Sequence, residues 1–167
     1  MGETNPTELL LIRHAPPLNG GRLAGRRDID ADCSDSAAFA AMAARIQAHQ
    51  DRRGAEWQTL HAPLDVIGAL HQSDGAGPRL LDCLTLWLTN LMLGGQDWRA
   101  SGQALAAALA QQQSPVVIVT NEVGAGIVPE NKLAREFRDA AGQLNQWIAH
   151  VADDVYLAVS GCELKVK

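Results

Sequence analysis

The segment that most constrains the fold of this chain runs from residue 116 to residue 146. It begins with Val116–Thr120, five consecutive apolar or β-branched residues that predict a strand buried on both faces. Asn121 and Glu122 follow directly, at the carboxyl end of that strand. Because ligands of open α/β sheets bind outside the carboxyl ends of the strands, we expect these two side chains to line the wall of a ligand-binding cleft.

A glycine-containing loop and a helix follow the predicted strand. Gly124 and Gly126 allow the backbone to turn tightly or to approach a ligand closely. Pro129 and Glu130 suit the first turn of a helix, the former by its fixed φ and the latter by its charge near the positive end of the helix dipole. Beyond them, apolar residues recur near helical spacing at Leu133, Phe137, Leu144, Ile148 and Val151.

Three motifs in this chain resemble those of one enzyme family. They are ARIQAHQDRRGAEWQT at residues 44–59, LLDCLTLWLTNL at residues 80–91 and TNEVGAGIVPENKLAREFRDAAGQLNQ at residues 120–146. Together they are similar to the bifunctional adenosylcobinamide kinase/adenosylcobinamide-phosphate guanylyltransferases of cobalamin biosynthesis. The resemblance runs from about Ala43 to Lys167. It implies phosphorylation of adenosylcobinamide and GTP-dependent guanylylation of adenosylcobinamide phosphate, with GTP and ATP as substrates.

The resemblance assigns the nucleophile of the guanylylation to His49. In the family, the histidine of an RIxxH motif attacks the α-phosphate of GTP, and Arg45–His49 matches that motif. A neutral imidazole is nucleophilic, and it leaves readily from a phosphoramidate once its other nitrogen is protonated. Without the resemblance, His49 is better explained as a core residue, because it shares one face of a predicted helix over residues 36–50 with apolar side chains.

The residues after His49 are expected, by the same resemblance, to contact the nucleotide. Arg53 matches a family arginine near the phosphates. The whole nucleotide-binding segment comprises Gln50, Asp51, Arg52 and Arg53. From residue types alone, the two arginines could equally form a solvated helix end.

Residues 79–82 predict a strand that ends in an acid, Asp82. A carboxylate at a strand end in a nucleotide-binding α/β fold can hold Mg²⁺, directly or through water, or contact the nucleotide. The alternative is that Asp82 caps the helix predicted over residues 85–93.

The N-terminal residues resemble a different family. Glu8–Ile12 predicts a first buried strand, and LIRHAPP at residues 11–17, followed by GRLAGRRDIDADCSD, is similar to the start of a histidine phosphatase of the phosphoglycerate-mutase type. The similarity implies that His14 would be phosphorylated and that Arg13 would hold the phosphate. The second histidine and the acidic proton donor of that family have no match here. The alternatives are therefore residual phosphomonoesterase activity at His14 or a relic without chemistry.

Residues 20–27, GGRLAGRR, have the glycine spacing of a phosphate-binding P-loop. Such a loop needs Lys and then Ser or Thr after its last glycine, to supply a cation for the β- and γ-phosphates and a hydroxyl for Mg²⁺. This chain has Arg26 and Arg27 there. The resemblance implies a P-loop near the N-terminus, so we expect the usual P-loop segment to be replaced and both activities to be impaired.

The chain of 167 residues is long enough for one domain with a substantial core. We expect a three-layer α/β fold with a mostly parallel sheet of the P-loop NTPase (RecA-like) type. The predicted strands are residues 8–12, 79–82, 116–120 and 155–160. Within this single domain, residues 1–42 form the histidine-phosphatase-like segment and residues 43–167 the kinase/guanylyltransferase-like region, a pattern that suggests a gene fusion or an internal deletion.

Charge and composition exclude several other classes of protein. A formal net charge of −5 gives no indication of nucleic-acid binding, and no apolar run approaches the ~20 residues that cross a bilayer. The polar N-terminus lacks the basic region of a signal peptide, and Cys33, Cys83 and Cys162 are typical of free thiols in a reducing cytoplasm. The expected partners are adenosylcobinamide and GTP. The resemblance also implies a homotrimer, which a non-catalytic remnant could retain.

Overall fold

The computed structural model describes residues 9–13, as a strand, and residues 57–167. Within these ranges the chain forms six strands and four helices. In chain order they are β1 (Leu9–Arg13), β2 (Trp57–His61), α1 (Val66–Ser73), β3 (Arg79–Asp82), α2 (Leu84–Leu93), α3 (Trp98–Leu109), β4 (Val116–Val119), α4 (Lys132–Val151), β5 (Tyr156–Val159) and β6 (Cys162–Lys165). No helix in this part of the chain combines the length and the apolar character that crossing a membrane requires.

Four of the strands form one parallel sheet in the order β2-β1-β3-β4. β1 lies inside this sheet and pairs along its whole length with β2. On its other side it pairs with β3, which in turn pairs with β4. The N-terminal strand predicted from the sequence is therefore hydrogen-bonded along both edges, and its backbone polar groups find partners within the sheet. The parallel sheet confirms the predicted α/β class.

The edge strand β2 was not predicted. Its sequence, WQTLH, lacks the continuous apolar run that is typical of a strand buried on both faces. Among the described strands it pairs with β1 alone. A strand in this position needs less apolar surface than an interior one, which explains why the hydrophobic pattern did not reveal it.

The opposite edge strand, β4, is buried on one face only. Val116 and Ile118 pack against the core, whereas Val117 and Val119 are 56% and 41% exposed. Successive side chains of a strand point to opposite faces, and the core formed by the described residues lies against one face of this strand. The prediction of burial on both faces was therefore wrong.

The hydrophobic core is built from the sheet and from all four described helices. Leu70 of α1, Leu81 of β3, Trp87 of α2, Leu105 of α3 and Leu144 of α4 are each at most 1% exposed. Burying one aliphatic side chain of this size contributes about 1.5–3 kcal/mol relative to leaving it in water. Elements far apart in the sequence are thus held together by apolar contact.

Helices α3 and α4 approach each other closely at Gly102. A Cβ atom at this position would lie 2.8 Å from Cδ1 of Leu144 and 3.1 Å from the indole ring of Trp147. The same indole stacks on that of Trp98, with ring centroids 5.9 Å apart. A side chain at residue 102 would require Leu144 and the ring of Trp147 to shift, so this close approach favours glycine.

The long helix α4 begins later than predicted. Asn131 is its N-cap and accepts a hydrogen bond from the backbone N–H of Ala134 (3.2 Å). Pro129 and Glu130 therefore precede the helix, and the prediction that they form its first turn was wrong. The amide of Asn131 satisfies one of the free N–H groups at the helix start, which makes Lys132 the first helical residue.

The apolar stripe predicted for this helix is confirmed over its second half. Leu144 and Ile148 are buried, and Phe137 and Val151 are partly buried. Leu133, in the first turn, is 52% exposed. Ala140 and Ala141 are also buried, at 1% and 2% exposure. Helical spacing thus located the buried face but not the point at which α4 leaves the core.

The chain ends in an antiparallel hairpin of β5 and β6. Ser160 and Gly161 connect the strands, with φ of 54° and 80°. Positive φ at both central residues is the conformation that suits a two-residue hairpin turn. The strand predicted over residues 155–160 is confirmed, whereas β6 was missed because its residues, CELK, have little apolar character.

An ion pair between a buried arginine and a partly exposed aspartate lies at the amino end of β3. Arg79 is fully buried, and its guanidinium lies 3.0 Å from the carboxylate of Asp74. The guanidinium also donates to the carbonyl of Leu70 (3.0 Å), to Oε1 of Gln112 (2.6 Å) and to the carbonyl of Ser114 (2.5 Å). One side chain therefore joins α1, β3 and the connection from α3 to β4. We call this group of five residues the Arg79 cluster.

Stability is expected to depend on pH through Asp74. Backbone N–H groups of Gln113 and Ser114 hold the pKa of its carboxyl below the usual 3.8, and the guanidinium of Arg79 lowers this pKa further. Because the folded-state pKa lies below the unfolded one, the carboxylate stabilises the fold fully above about pH 4, and this contribution is lost as the pH falls through the folded-state pKa.

On acidification from about pH 5 to about pH 2, the free energy of unfolding of the wild type is therefore expected to fall more steeply than that of Asp74→Asn. Urea titrations at each pH measure this slope. Asp153→Asn, which removes an exposed carboxylate, is the matched control. Equal slopes for Asp74→Asn and the wild type would contradict the prediction.

Candidate functional site

The carboxyl ends of the four parallel strands meet at one edge of the sheet. In register, the backbone of Arg13 lies between His61 of β2 and Asp82 of β3, and Asp82 pairs with Val119 of β4. This is the edge at which open α/β sheets bind ligands. The topology thus brings the end of β1 and the predicted site residue Asp82 together, and it places the loop after β4 beside them.

Asp82 is the acidic residue at the end of β3. Its side chain is half-buried and lies on the opposite face of the strand from the core residue Leu81. The next helix takes Cys83 as its N-cap, without a side-chain hydrogen bond. The alternative that Asp82 caps this helix is therefore wrong, and within the described ranges no hydrogen bond or ion pair engages its carboxylate.

The donor set at this edge suits a metal shared with a substrate rather than a protein cage. Among the described residues, no three His, Cys, Asp or Glu side chains come close enough to hold a metal ion. Mg²⁺, however, commonly takes one or two carboxylates and completes its coordination with water and substrate phosphates. One half-buried carboxylate at a strand end meets that requirement.

The start of the loop between β4 and α4 is tied to two helices. The side-chain amide of Asn121 donates to Oγ1 of Thr85 in α2 (2.7 Å). Asn145 of α4 donates to the backbone carbonyl of Asn121 (3.2 Å) and accepts from the hydroxyl of Thr120 (2.8 Å). The sulfur of Cys83 lies 3.4 Å from the same Thr85 oxygen. A connected set of polar groups therefore runs from the end of β3 to α4.

The side chain of Glu122 accepts a hydrogen bond from the backbone of its own loop. Its Oε1 accepts from the backbone N–H of Gly124 (2.7 Å), and the guanidinium of Arg138 donates to the carbonyl of Gly124. Farther along, the guanidinium of Arg135 donates to the carbonyl of Pro129 (2.9 Å). Two arginines of α4 thus hold the loop near its two ends.

The middle of the loop is exposed. Ile127 and Val128 are 96% and 63% exposed. The loop therefore combines fixed ends with an accessible apolar centre.

Three of the predicted site residues, Asp82, Asn121 and Glu122, lie at this one edge. Arg13 is present there as backbone at the end of β1. The other predicted site residues lie outside the described residues: His14, His49, Gln50, Asp51, Arg52 and Arg53.

Sequence reasoning missed three residues that shape this site, Thr85, Arg138 and Asn145. All three lie inside the motifs at residues 80–91 and 120–146, so the motifs were a signal that marked them. Hydrophobic spacing could not identify these three residues, because it locates the buried face of a helix and gives no information on the partner of a polar side chain.

The two described cysteines, Cys83 and Cys162, are free. Cys83 is buried beside the site and Cys162 is exposed in the hairpin.

Comparison with protein families gives a match over most of the chain. Residues 33–166 match the model of the family described as cobinamide kinase / cobinamide phosphate guanyltransferase. The matched range begins before residue 43, where the motifs placed the start of the resemblance. It includes every described residue of the candidate site except the end of β1.

Curated relatives agree with the family match. The chain is 45% identical to the bifunctional adenosylcobalamin biosynthesis protein CobU of Salmonella typhimurium, over 75% of this chain and 78% of that protein. It is 41% identical to the protein CobP of the same description from Pseudomonas aeruginosa, over 75% of each chain. The CobU protein of Escherichia coli is 42% identical, over 75% of this chain and 78% of its own length. None of these similarities supports the phosphatase alternative at His14.

Proposed function

The chain belongs to the cobinamide kinase / cobinamide phosphate guanyltransferase family, and we propose that it phosphorylates adenosylcobinamide and then transfers GMP from GTP to the resulting phosphate. The observation that carries the proposal is the family match over residues 33–166. The geometry supports it, because the sheet brings Asp82 and the loop of Asn121 to the edge where α/β proteins bind nucleotides.

The guanylyl transfer consists of two displacements at one phosphorus atom. A ring nitrogen of His49 attacks the α-phosphorus of GTP, an N–P bond forms, and the bond to the bridging oxygen breaks so that pyrophosphate leaves. A phosphate oxygen of adenosylcobinamide phosphate then attacks the same phosphorus and the N–P bond breaks. The products are adenosylcobinamide-GDP and free imidazole, so the enzyme returns to its starting state.

Asp82 is the residue that we assign to Mg²⁺ or to the nucleotide. Its carboxylate is half-buried at the strand end and is not engaged by another described side chain, so it can take a hydrated cation that also binds phosphate. A bound Mg²⁺ would neutralise charge on the phosphate oxygens during transfer.

The remaining assignments follow the family motifs. Arg53 contacts the phosphates, and Gln50, Asp51 and Arg52 belong to the same nucleotide-binding segment. Asn121 and Glu122 form the wall of the cleft, which agrees with their place after β4 although Glu122 also stabilises its own loop.

The finer fold type is part of the same proposal. We assign the sheet to the three-layer, RecA-like class of P-loop NTPases, with residues 1–42 in place of the usual P-loop segment and residues 43–167 as the transferase region. The comparisons give no support for the impaired activity expected from Arg26 and Arg27, which lie outside the described residues. The proposal is therefore for an active enzyme, and its nucleoside triphosphate substrates support a cytoplasmic location.

Product analysis tests the function directly. Purified protein is incubated with adenosylcobinamide, ATP, GTP and Mg²⁺, and the corrinoids are separated and identified by mass spectrometry. We expect adenosylcobinamide phosphate and then adenosylcobinamide-GDP, and only the phosphate when GTP is omitted. The Salmonella typhimurium relative, assayed in parallel, controls for substrate quality. Unchanged adenosylcobinamide with a cooperatively folded protein would overturn the proposal.

The variant Asp82→Asn is expected to need more Mg²⁺. Loss of one carboxylate charge should raise the Mg²⁺ concentration for half-maximal activity roughly tenfold or more, because an amide oxygen is a weaker ligand for a hard cation. Product formation across a Mg²⁺ titration measures the shift. Asp139→Asn, an exposed aspartate of α4, is the matched control, and superimposable Mg²⁺ curves for all three proteins would exclude a metal role for Asp82.

We also propose that the chain forms a homotrimer. The number of subunits follows the family resemblance, and the exposed apolar side chains of the C-terminal hairpin support self-association, because exposed apolar surface often marks a protein interface. Four apolar residues of the hairpin are at least 40% exposed: Tyr156, Leu157, Val159 and Leu164. Val166, directly after the hairpin, is also exposed.

Light scattering is expected to give three times the 17.8 kDa mass of one chain. Val159→Glu should lower that mass, since a carboxylate is costly to bury in an apolar interface. Gln103→Glu introduces the same charge at an exposed position of α3 and should leave the measured mass unchanged. A wild type that elutes as a monomer at all concentrations would contradict the trimer.

A further inference from the structure

We propose that Asn145 is a positioning residue that holds the loop after β4 in its nucleotide-binding conformation. This inference rests on the proposed function, which places Asn121 and Glu122 in the wall of the nucleotide cleft. Asn145 itself lies on α4, behind the loop, and acts on the site through the backbone of its neighbours.

The geometry of the amide explains the role. Nδ2 of Asn145 donates to the backbone carbonyl of Asn121 (3.2 Å), and Oδ1 accepts from the hydroxyl of Thr120 (2.8 Å). A carboxamide carries a donor and an acceptor on the same carbon, so it can bind two consecutive residues at once. A carboxylate supplies only acceptors, and an alanine supplies neither group.

Asn121, whose backbone is bound by Asn145, is also held through its own side chain. The side chain of Asn121 donates to Oγ1 of Thr85 (2.7 Å), and Thr85 is only 8% exposed. Thr85 belongs to α2 and Asn145 to α4, and both helices contribute to the core through Leu88 and Leu144. Residue 121 is therefore fixed by its backbone to one packed helix and by its side chain to another.

Asn145 and Thr85 hold the start of the loop, and two arginines of α4 hold it farther along. Residues 120–131 form no helix or strand, and Ile127 at the centre is 96% exposed. Ordering a mobile segment on ligand binding costs conformational entropy, which appears as weaker affinity. A loop held in place beforehand avoids that cost, so Asn145 should affect nucleotide affinity more than the rate of transfer.

Steady-state kinetics of the guanylyl transfer test the inference. We expect Asn145→Ala to raise KM for GTP about tenfold, with kcat per active site changed by less than about twofold. Asn145→Asp keeps the acceptor for Thr120 but places a carboxylate oxygen against the carbonyl of Asn121, so it should raise KM at least as much as alanine does. Thr120→Val removes one of the two hydrogen bonds and should give a KM between those of the wild type and Asn145→Ala.

The matched control is Gln146→Ala, which removes an exposed amide from the next position of the same helix. It should leave KM and kcat at the wild-type values. If Asn145 merely supported the fold, Asn145→Ala would reduce the active fraction and leave KM unchanged. Counting active sites by single-turnover labelling separates these two cases, and an unchanged KM in Asn145→Ala overturns the inference.

Failure of the proposed function is recognised separately. A wild type without product overturns the proposed function, whatever the variants do. In that event, hydrogen exchange of the amides at residues 120–126 still tests the positioning role. Faster exchange in Asn145→Ala than in Gln146→Ala supports the tether, and equal exchange in the two variants overturns it.

Discussion

Replacing His49 by alanine is expected to abolish covalent labelling of the protein by GTP carrying a labelled α-phosphate. The wild type should acquire an acid-labile label in the presence of Mg²⁺, because a phosphoramidate on histidine hydrolyses once its nitrogen is protonated. Without the imidazole there is no nucleophile to accept the guanylyl group. We expect labelling and guanylyl transfer to fall by more than about a thousandfold. Denaturing electrophoresis measures the label.

The chain offers a matched control in His71, an exposed histidine on α1. His71→Ala removes an imidazole away from the motif and should label as the wild type does. Kinase activity in His49→Ala should persist, since phosphorylation of the hydroxyl by ATP does not pass through the histidine. Equal labelling of His49→Ala and the wild type would remove His49 from the mechanism.

The second large effect is expected for stability, at Arg79. Replacing it by methionine keeps most of the aliphatic volume and removes the guanidinium, which is fully buried. The carbonyls of Leu70 and Ser114 and the side chain of Gln112 would then lose a charged donor. Removing this buried charged donor should lower the free energy of unfolding by about 3 kcal/mol, because three acceptors lose a hydrogen bond to a charged group. Urea unfolding followed by circular dichroism measures the change.

Two further variants make this test specific. Arg99→Ala removes an exposed arginine whose guanidinium lies 4.4 Å above the ring of Trp98, and it should cost less than about 1 kcal/mol. The double variant Asp74→Asn/Arg79→Met should be less destabilised than the sum of the two single changes, because both remove the same ion pair. An Arg79→Met protein as stable as Arg99→Ala would show that the Arg79 cluster contributes little.

The sequence determined the parts of the site that depend on local pattern. The patterns at residues 79–82 and 116–120 predicted two strands, and the polar residues at or directly after their carboxyl ends made Asp82 and Asn121 candidates. The helix after the loop was also evident, because its apolar residues recur at helical spacing. Each of these features is set by residues within one or two turns of chain, which is why a linear pattern reveals it.

The tertiary structure alone decided which side chains meet. The hydrogen bond from Asn121 to Thr85 spans 36 residues, and that from Arg79 to Gln112 spans 33. Such contacts depend on strand order, on register and on how helices pack across the sheet, and these are set by the whole core. The sequence therefore determined which residues are candidates for the site, while packing across distant elements decided that Asn145 and Arg138 hold the loop that carries Asn121 and Glu122.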